Sequence, residues 1–202
     1  MQAEADLVLE WYLPLVTGAA VPSAVAGAYR EAWAEVLPDA RDGDGVFVLR
    51  DFHADNLLWL PQRAGVARVG LLDFQDGVVG GRAYDLVSLL EDARRDVPSA
   101  LARHLLDHYC RRMAGPGFDS ASFRRAYAIL GAQRNSKIVG IFARLCRRDG
   151  KPYYLEFLPR VWRYLDGDLE HRALAPVRRW FDAHVPADLR GAAATRREPR
   201  HA

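Results

Sequence analysis

The stretch LRDFHADNLLWL, residues 49–60, sets five polar side chains between two apolar flanks. Phe47, Val48 and Leu49 lead into it, and Leu57, Leu58, Trp59 and Leu60 lead out. Arg50, Asp51, His53, Asp55 and Asn56 fill the middle. The flanks read as short strands. A polar loop between strands is where a rigid base presents chemistry. Asp51 and Asn56 have the spacing D-x-x-x-x-N, and 17 residues on comes GLLDFQDG, residues 70–77. There Asp73 follows Gly70, Leu71 and Leu72 and precedes Phe74. A carboxylate just after a strand expected to be buried needs a strong partner, because desolvating a charge is costly.

The rest of the chain is organised around this element. Residues 7–16 suggest a short helix broken near Pro14. Residues 23–37 predict a better one, with Val25, Ala28, Tyr29, Ala32 and Val36 at helical spacing, Ser23 as its cap and Pro38 as its end. Asp39 to Gly45 is turn-rich. Strands are expected at 46–49, 56–60 and 67–72, the last two joined through Pro61–Gly65 as a hairpin. After Gly81 the pattern turns helical: 84–95, 98–113, a long stretch from Asp119 to about Arg147, then 153–165 and 174–183. Trp33, Trp162 and Trp180 fall at core spacings. The expected fold class is therefore α+β, mostly α, with a small β hairpin element. One domain is expected over 1–187. The Arg- and Ala-rich stretch 188–202 is expected to be a solvated, disordered tail.

Composition narrows the function. The chain has 202 residues, half of them apolar, with 28 basic and 26 acidic residues. A net charge of +2 gives no case for a nucleic-acid or anionic-membrane partner. Two cysteines, Cys110 and Cys146, make no disulfide framework, and a reducing cytoplasm is the simpler location. They read as buried small apolar residues. No signal peptide is visible, and no apolar run approaches the ~20 residues of a membrane helix.

Phosphoryl transfer gives a reason for all three oxygen-bearing side chains. One carboxylate orients an attacking hydroxyl and accepts its proton. A side-chain amide and a second carboxylate hold the divalent metal that bridges the nucleotide phosphates. Magnesium prefers such hard oxygen donors, whereas zinc would call for a His/Cys cluster, which is absent from the sequence. The bland readings are a turn or cap role for Asp51, a structural role for His53 and a loop brace for Asp55. Arg50 suits a phosphate or an acidic neighbour equally. The pairs Arg94-Arg95, Arg111-Arg112 and Arg147-Arg148 read as solvated helix faces.

LRDFHADN followed by LLDFQDG resembles the catalytic and metal-binding segments of the aminoglycoside phosphotransferase-like branch of the protein kinase fold. Leu49 stands where the kinase catalytic loop has histidine, and Asp73-Phe74-Gln75 where it has D-F-G. With GGRAYDLVSLLEDARRDV and QRNSKIVGIFARL, the chain resembles in particular the bacterial anomeric N-acetylmuramate and N-acetylglucosamine kinases. The resemblance covers most of residues 5–185. It implies Asp51 as catalytic base, Asn56 and Asp73 as ligands of magnesium and hence of ATP, and Asp76 as either a support behind the metal ligands or a sugar contact. Arg134, Asn135 and Lys137 would line the sugar pocket, and Asp85 would cap or brace a helix.

The resemblance also implies a Gly-rich loop and a strand lysine in a β-rich lobe ahead of the catalytic loop. Only Lys137 and Lys151 are lysines here, none precedes Asp51, and Gly43 and Gly45 do not sit between strands. The chain is thus expected to be the helical C-terminal lobe of a protein kinase-like fold without its N-terminal β lobe. On its own it is expected to be weakly active or inactive. The exposed face is expected to be apolar and open to a missing lobe or to self-association. The competing expectations are a true aminoglycoside phosphotransferase and a non-catalytic binding module. The first would want a carboxylate-lined pocket, whereas Arg134 and Lys137 suit a neutral or acidic sugar.

Overall fold

The computed structural model describes residues 1–41, 43 and 45–191. The chain divides into two compact units, residues 1–38 with 131–202, and residues 39–130.

The first unit is helical. Helix α1 (Gln2–Ala5), a π-helical turn (Val8–Tyr12) and α2 (Leu13–Thr17) run on from one another. Pro14 falls in the first turn of α2, where the fixed φ of proline is compatible with the helix. Helix α3 (Ser23–Val36) follows, with Pro22 at its cap rather than a Ser23 side-chain bond. The second part of the unit is the C-terminal stretch of α6 (Ser120–Asp149), a 3₁₀ turn at Pro152–Phe157, α7 (Leu158–Leu169) and α8 (Ala175–His184). Aromatic rings fill the core. Tyr29 meets Trp180 at 4.5 Å between centroids and Phe181 at 6.0 Å, and the Trp180 Nε1–H donates to the Val25 carbonyl at 3.0 Å. Trp33, Trp162 and Trp180 are all buried, as their spacing predicts. Gly140 lies against the Leu7 backbone so closely that a Cβ there would collide with it.

The second unit carries the β structure. Strand β1 (Val46–Val48) pairs antiparallel with β4 (Val78–Gly80), with Phe47 opposite Val79. Strand β2 (Leu57–Trp59) pairs antiparallel with β3 (Val69–Leu71), with Leu57 opposite Leu71 and Trp59 opposite Val69. The hairpin was expected; β4 was not, because VVGG is short and glycine-rich. Helices α4 (Ala83–Leu90) and α5 (Ser99–Met113) and the first turns of α6 complete the unit. Helix α4 stops at Leu90 rather than Arg95. The Asp119 carboxylate caps α6 by accepting from the Ala121 and Ser122 N–H groups, which lowers its pKa, led by its bond from the Ser122 hydroxyl. Tyr109 stacks on Phe123 at 4.8 Å.

The strands depart from one expectation. Val69 and Leu71 are 42% and 44% exposed, so β3 is not a buried strand. Apolar alternation says which surface seeks cover, and the described residues leave it open.

Leu189, Arg190 and Gly191, assigned to the tail by composition, are tied to the first unit. The buried Tyr12 hydroxyl donates to the Leu189 carbonyl and accepts from the Gly191 N–H at 3.0 Å and the Trp162 Nε1–H at 3.1 Å. Arg190 bonds Asp166 at 2.6 Å and Asp182 at 2.8 Å. Residues 192–202 lie outside the described residues.

Burial raises the Tyr12 phenol to about 12, against the bonds from Gly191 and Trp162 that favour its ionised form. The unfolded phenol ionises near pH ~10. The folded state therefore keeps its full stability below ~10 and loses it as pH rises towards 12. Urea unfolding should show a loss of about 2–3 kcal/mol over that window. Tyr12→Phe should shrink the loss, and an equal loss in that variant would contradict the assignment.

Candidate active site

The catalytic-loop candidate begins where β1 ends. The Leu49 N–H donates to Asp85 Oδ2 at 2.8 Å and the Arg50 N–H to Asp85 Oδ1 at 3.0 Å. Asp85 lies in the first turn of α4, where the helix dipole favours a carboxylate. One turn on, the Ser88 hydroxyl donates to the Arg50 carbonyl at 3.4 Å. Helix α4 thus holds the backbone on both sides of Arg50. Arg50 has φ 69°, a left-handed backbone that costs a non-glycine residue about 1 kcal/mol or more.

That reversal delivers Asp51. Its N–H bonds the Leu49 carbonyl at 2.9 Å, and its own carbonyl accepts from the His53 N–H at 3.1 Å. The Asn56 N–H bonds the His53 carbonyl at 2.9 Å, closing a 3₁₀ turn over Ala54–Asn56. His53 therefore braces the loop through its backbone. The Asn56 side-chain N–H then donates to the Asp51 carbonyl at 2.9 Å. This leaves the Asn56 side-chain oxygen as the group available to a further ligand.

Asp73 reaches the same neighbourhood through the hairpin. The Leu72 N–H bonds the Asn56 carbonyl at 2.9 Å, extending the β2–β3 ladder by one residue. Asp73 is the next residue after Leu72, so its Cα lies within about 9 Å of that of Asn56. Asp73 has φ 56°, again left-handed, and its carboxylate accepts from the Gln75 side chain. Asp51, Asp73 and Asp76 are exposed and Asn56 is half-buried. Asp55 pairs with Arg95 at 2.6 Å, and that bond holds its carboxyl below the usual range.

The remaining candidates belong to the other unit. On α6, Arg134 is buried and the Asn135 side-chain amide, wholly buried, donates to Asp168 at 3.0 Å. Asp168 itself sits 2.7 Å from where a Cβ on Gly131 would stand. Lys137 Nζ bonds Glu4 at 2.8 Å. Burial alone would raise the Glu4 pKa, but Lys137 reverses the shift and lowers it.

The donor set fits magnesium. Asn56 and Asp73 offer hard oxygens from two backbone-locked positions, and few protein ligands leave room for phosphate oxygens and water. Among the described residues no group of three or more His, Cys, Asp or Glu side chains is placed to hold a metal ion by itself. No helix among them is long and apolar enough to cross a membrane.

The sequence reading placed Asp85 against a helix; its carboxylate instead braces the loop, and Ser88 was missed altogether. The signal in GGRAYDLVS is an acid and a hydroxyl three residues apart at a helix start, and only the fold reveals which backbone they face.

Residues 3–124 match the model of a phosphotransferase enzyme family. The chain is 43% identical over 185 residues to the N-acetylmuramate/N-acetylglucosamine kinase of Caulobacter vibrioides, covering 92% of this chain and 50% of that protein. It is 32% identical over 176 residues to the protein of the same name from Pseudomonas aeruginosa, covering 85% and 51%. With the one from Neisseria meningitidis it shares 34% identity over 171 residues, covering 82% and 49%. The chain thus spans about half the length of the curated relatives it matches.

If Asp85 holds the loop, Asp85→Ala should speed hydrogen exchange of the Leu49 and Arg50 amides by more than tenfold and leave α5 protected. Global stability should fall by about 2–3 kcal/mol, the cost of two bonds to a charged acceptor. Unchanged exchange at Leu49 and Arg50 would show that the turn holds itself.

Proposed function

The chain belongs to the phosphotransferase enzyme family, and we propose that it serves ATP-dependent phosphorylation of an N-acetylated amino sugar. The acceptor is the anomeric hydroxyl of N-acetylmuramate or N-acetylglucosamine, the setting cell-wall sugar recycling in the cytoplasm. The names of the relatives support the substrate class. The observation that carries the site is the tie between Asn56 and Asp51, made in the same turn that the β2–β3 ladder links to Asp73.

Asp51 orients the sugar hydroxyl and accepts its proton as the oxygen bonds the terminal phosphorus of ATP and the bond to the leaving ADP breaks. Asn56 and Asp73 hold magnesium, which neutralises charge on the phosphate oxygens when bound. The Asn56 amide nitrogen, spent on the Asp51 carbonyl, turns the side-chain oxygen towards that role and couples metal holding to the position of the base. The resemblance supports Asp76 as a sugar contact. Arg134, Asn135 and Lys137, the further sugar contacts the resemblance implies, belong to the other unit, where Lys137 is paired with Glu4 and the Asn135 amide with Asp168.

No lysine precedes Asp51 in these 202 residues, and the described segments before β1 are helical. The strand lysine and glycine loop that grip nucleotide phosphates are not among them, so this chain by itself turns over slowly. Phosphorus NMR with magnesium, ATP and each sugar should give a rate far below the ~1–100 s⁻¹ of kinases, and a rate within that range would overturn the reading of slow turnover. Manganese binding, followed by electron paramagnetic resonance, should weaken at least tenfold in Asn56→Ala and in Asp73→Ala and hold in Asp107→Ala. Binding indifferent to both of the first two changes would remove the metal site.

A further inference from the structure

Helix α4 ties the catalytic-loop candidate at its entry, through Asp85 and Ser88. A second tie reaches the loop from the segment that follows the helix. Helix α4 ends at Leu90, so Arg94 and Arg95 do not form the solvated helix face that their sequence suggests. Glu91, Asp92 and Ala93 are buried at the base of this segment. The Asp92 carboxylate also accepts the Arg94 N–H at 2.8 Å. From this anchored base Arg95 reaches Asp55, 40 residues away in sequence. Its Nε and Nη2 both donate to Asp55 Oδ1, at 3.1 and 2.6 Å.

Asp55 is the middle residue of the 3₁₀ turn Ala54–Asn56. It takes no part in the proposed chemistry, but the next residue is Asn56. The Asn56 N–H bonds the His53 carbonyl and its side-chain N–H the Asp51 carbonyl, both at 2.9 Å. Those bonds shape the turn from within. They do not fix where the turn lies against the α4 segment, and the Arg95 fork does. As a stabilising contact the pair is minor. Arg95 and Asp55 are 61% and 42% exposed, and such a pair is worth a factor of about two to five in an equilibrium constant. Electrostatics alone also argues against an arginine here. A guanidinium bonded to the neighbour of Asn56 repels the cation that Asn56 is assigned to hold.

We propose that Arg95 is a positioning residue for the candidate cation site, its contact with Asp55 fixing the turn that presents the Asn56 side-chain oxygen. The proposal rests on the reading of Asn56 and Asp73 as the metal ligands. One helix and its exit then hold the loop at both ends: Asp85 and Ser88 set the direction in which it leaves β1, and Arg95 sets the place of its last turn. Two donors on one carboxylate oxygen give that contact a defined direction.

Manganese binding by electron paramagnetic resonance and amide hydrogen exchange, both on the 202-residue chain, test it. Loss of a positive charge should by itself tighten manganese, whereas loss of a positioning contact should weaken it. In Arg95→Gln manganese should bind about threefold more weakly and the Asn56 amide should exchange about threefold faster, with the Leu49 amide unchanged. Exchanging the charges, Asp55→Arg with Arg95→Asp, should bring both readouts back towards the unaltered chain. Arg124→Gln, which breaks a comparably exposed pair with Asp107 in the same unit, should move neither. Manganese that binds Arg95→Gln as tightly as the unaltered chain, or more tightly, would overturn the proposal. So would an Asn56 amide that exchanges at its original rate, or a charge exchange that restores nothing. Manganese indifferent to Asn56→Ala and Asp73→Ala would mark instead a failure of the metal reading, and exchange at Asn56 would then decide alone whether Arg95 holds the turn.

Discussion

A single carboxylate organises the candidate site. Asp85 accepts the N–H groups of two successive residues, Leu49 and Arg50, at the point where β1 ends and the chain must reverse. Backbone donors at such a reversal have no strand partner, and a charged acceptor at a helix N-terminus satisfies both. The Ser88 hydroxyl donates to the Arg50 carbonyl, in the peptide that follows. Everything after Arg50 inherits its direction from this clamp: the turn at Asp51, the 3₁₀ turn to Asn56, and through the ladder the approach of Asp73. Removing the polar clamp would leave the loop that carries Asp51 and Asn56 with no fixed exit angle.

The loop is also tied to itself. Asn56 spends one half of its amide on the Asp51 carbonyl, so the residue assigned to the cation and the residue assigned to the proton share a bond. This economy explains the spacing. Four intervening residues are enough for a reversal, one 3₁₀ turn and the return contact. A shorter gap leaves no room for the turn, and a longer one loosens the contact.

Much of this was legible beforehand. The D-x-x-x-x-N spacing, the hairpin and its turn, the long α6 with its Asp119 cap and the buried tryptophans follow from local chemistry that needs no partner. What failed to show in the sequence was non-local. Strand β4 forms because β1 needs an edge partner, and VVGG carries little propensity of its own. Asp85 faces a backbone 35 residues away, and no local pattern announces that. Leu189, Arg190 and Gly191 looked like solvent-loving chain, yet the Tyr12 phenol and two carboxylates hold them. The apolar character of β3 was read as burial, whereas its side chains stand in water. Periodicity reports a surface's preference and not its fate. Arg134, Asn135 and Lys137 were chosen by resemblance, and in their own unit they engage neighbours with the polar groups that a ligand would have to recruit.

The left-handed backbones at Arg50 and Asp73 set stability and chemistry against each other. Glycine would relax either position, since it alone enters that region without strain. Selection for heat resistance without selection for turnover would therefore drift towards glycine at both. The survivors would be sturdier proteins that had discarded a carboxylate and a guanidinium. A bulky side chain held in a conformation it disfavours has to recover through its contacts what it loses in backbone strain.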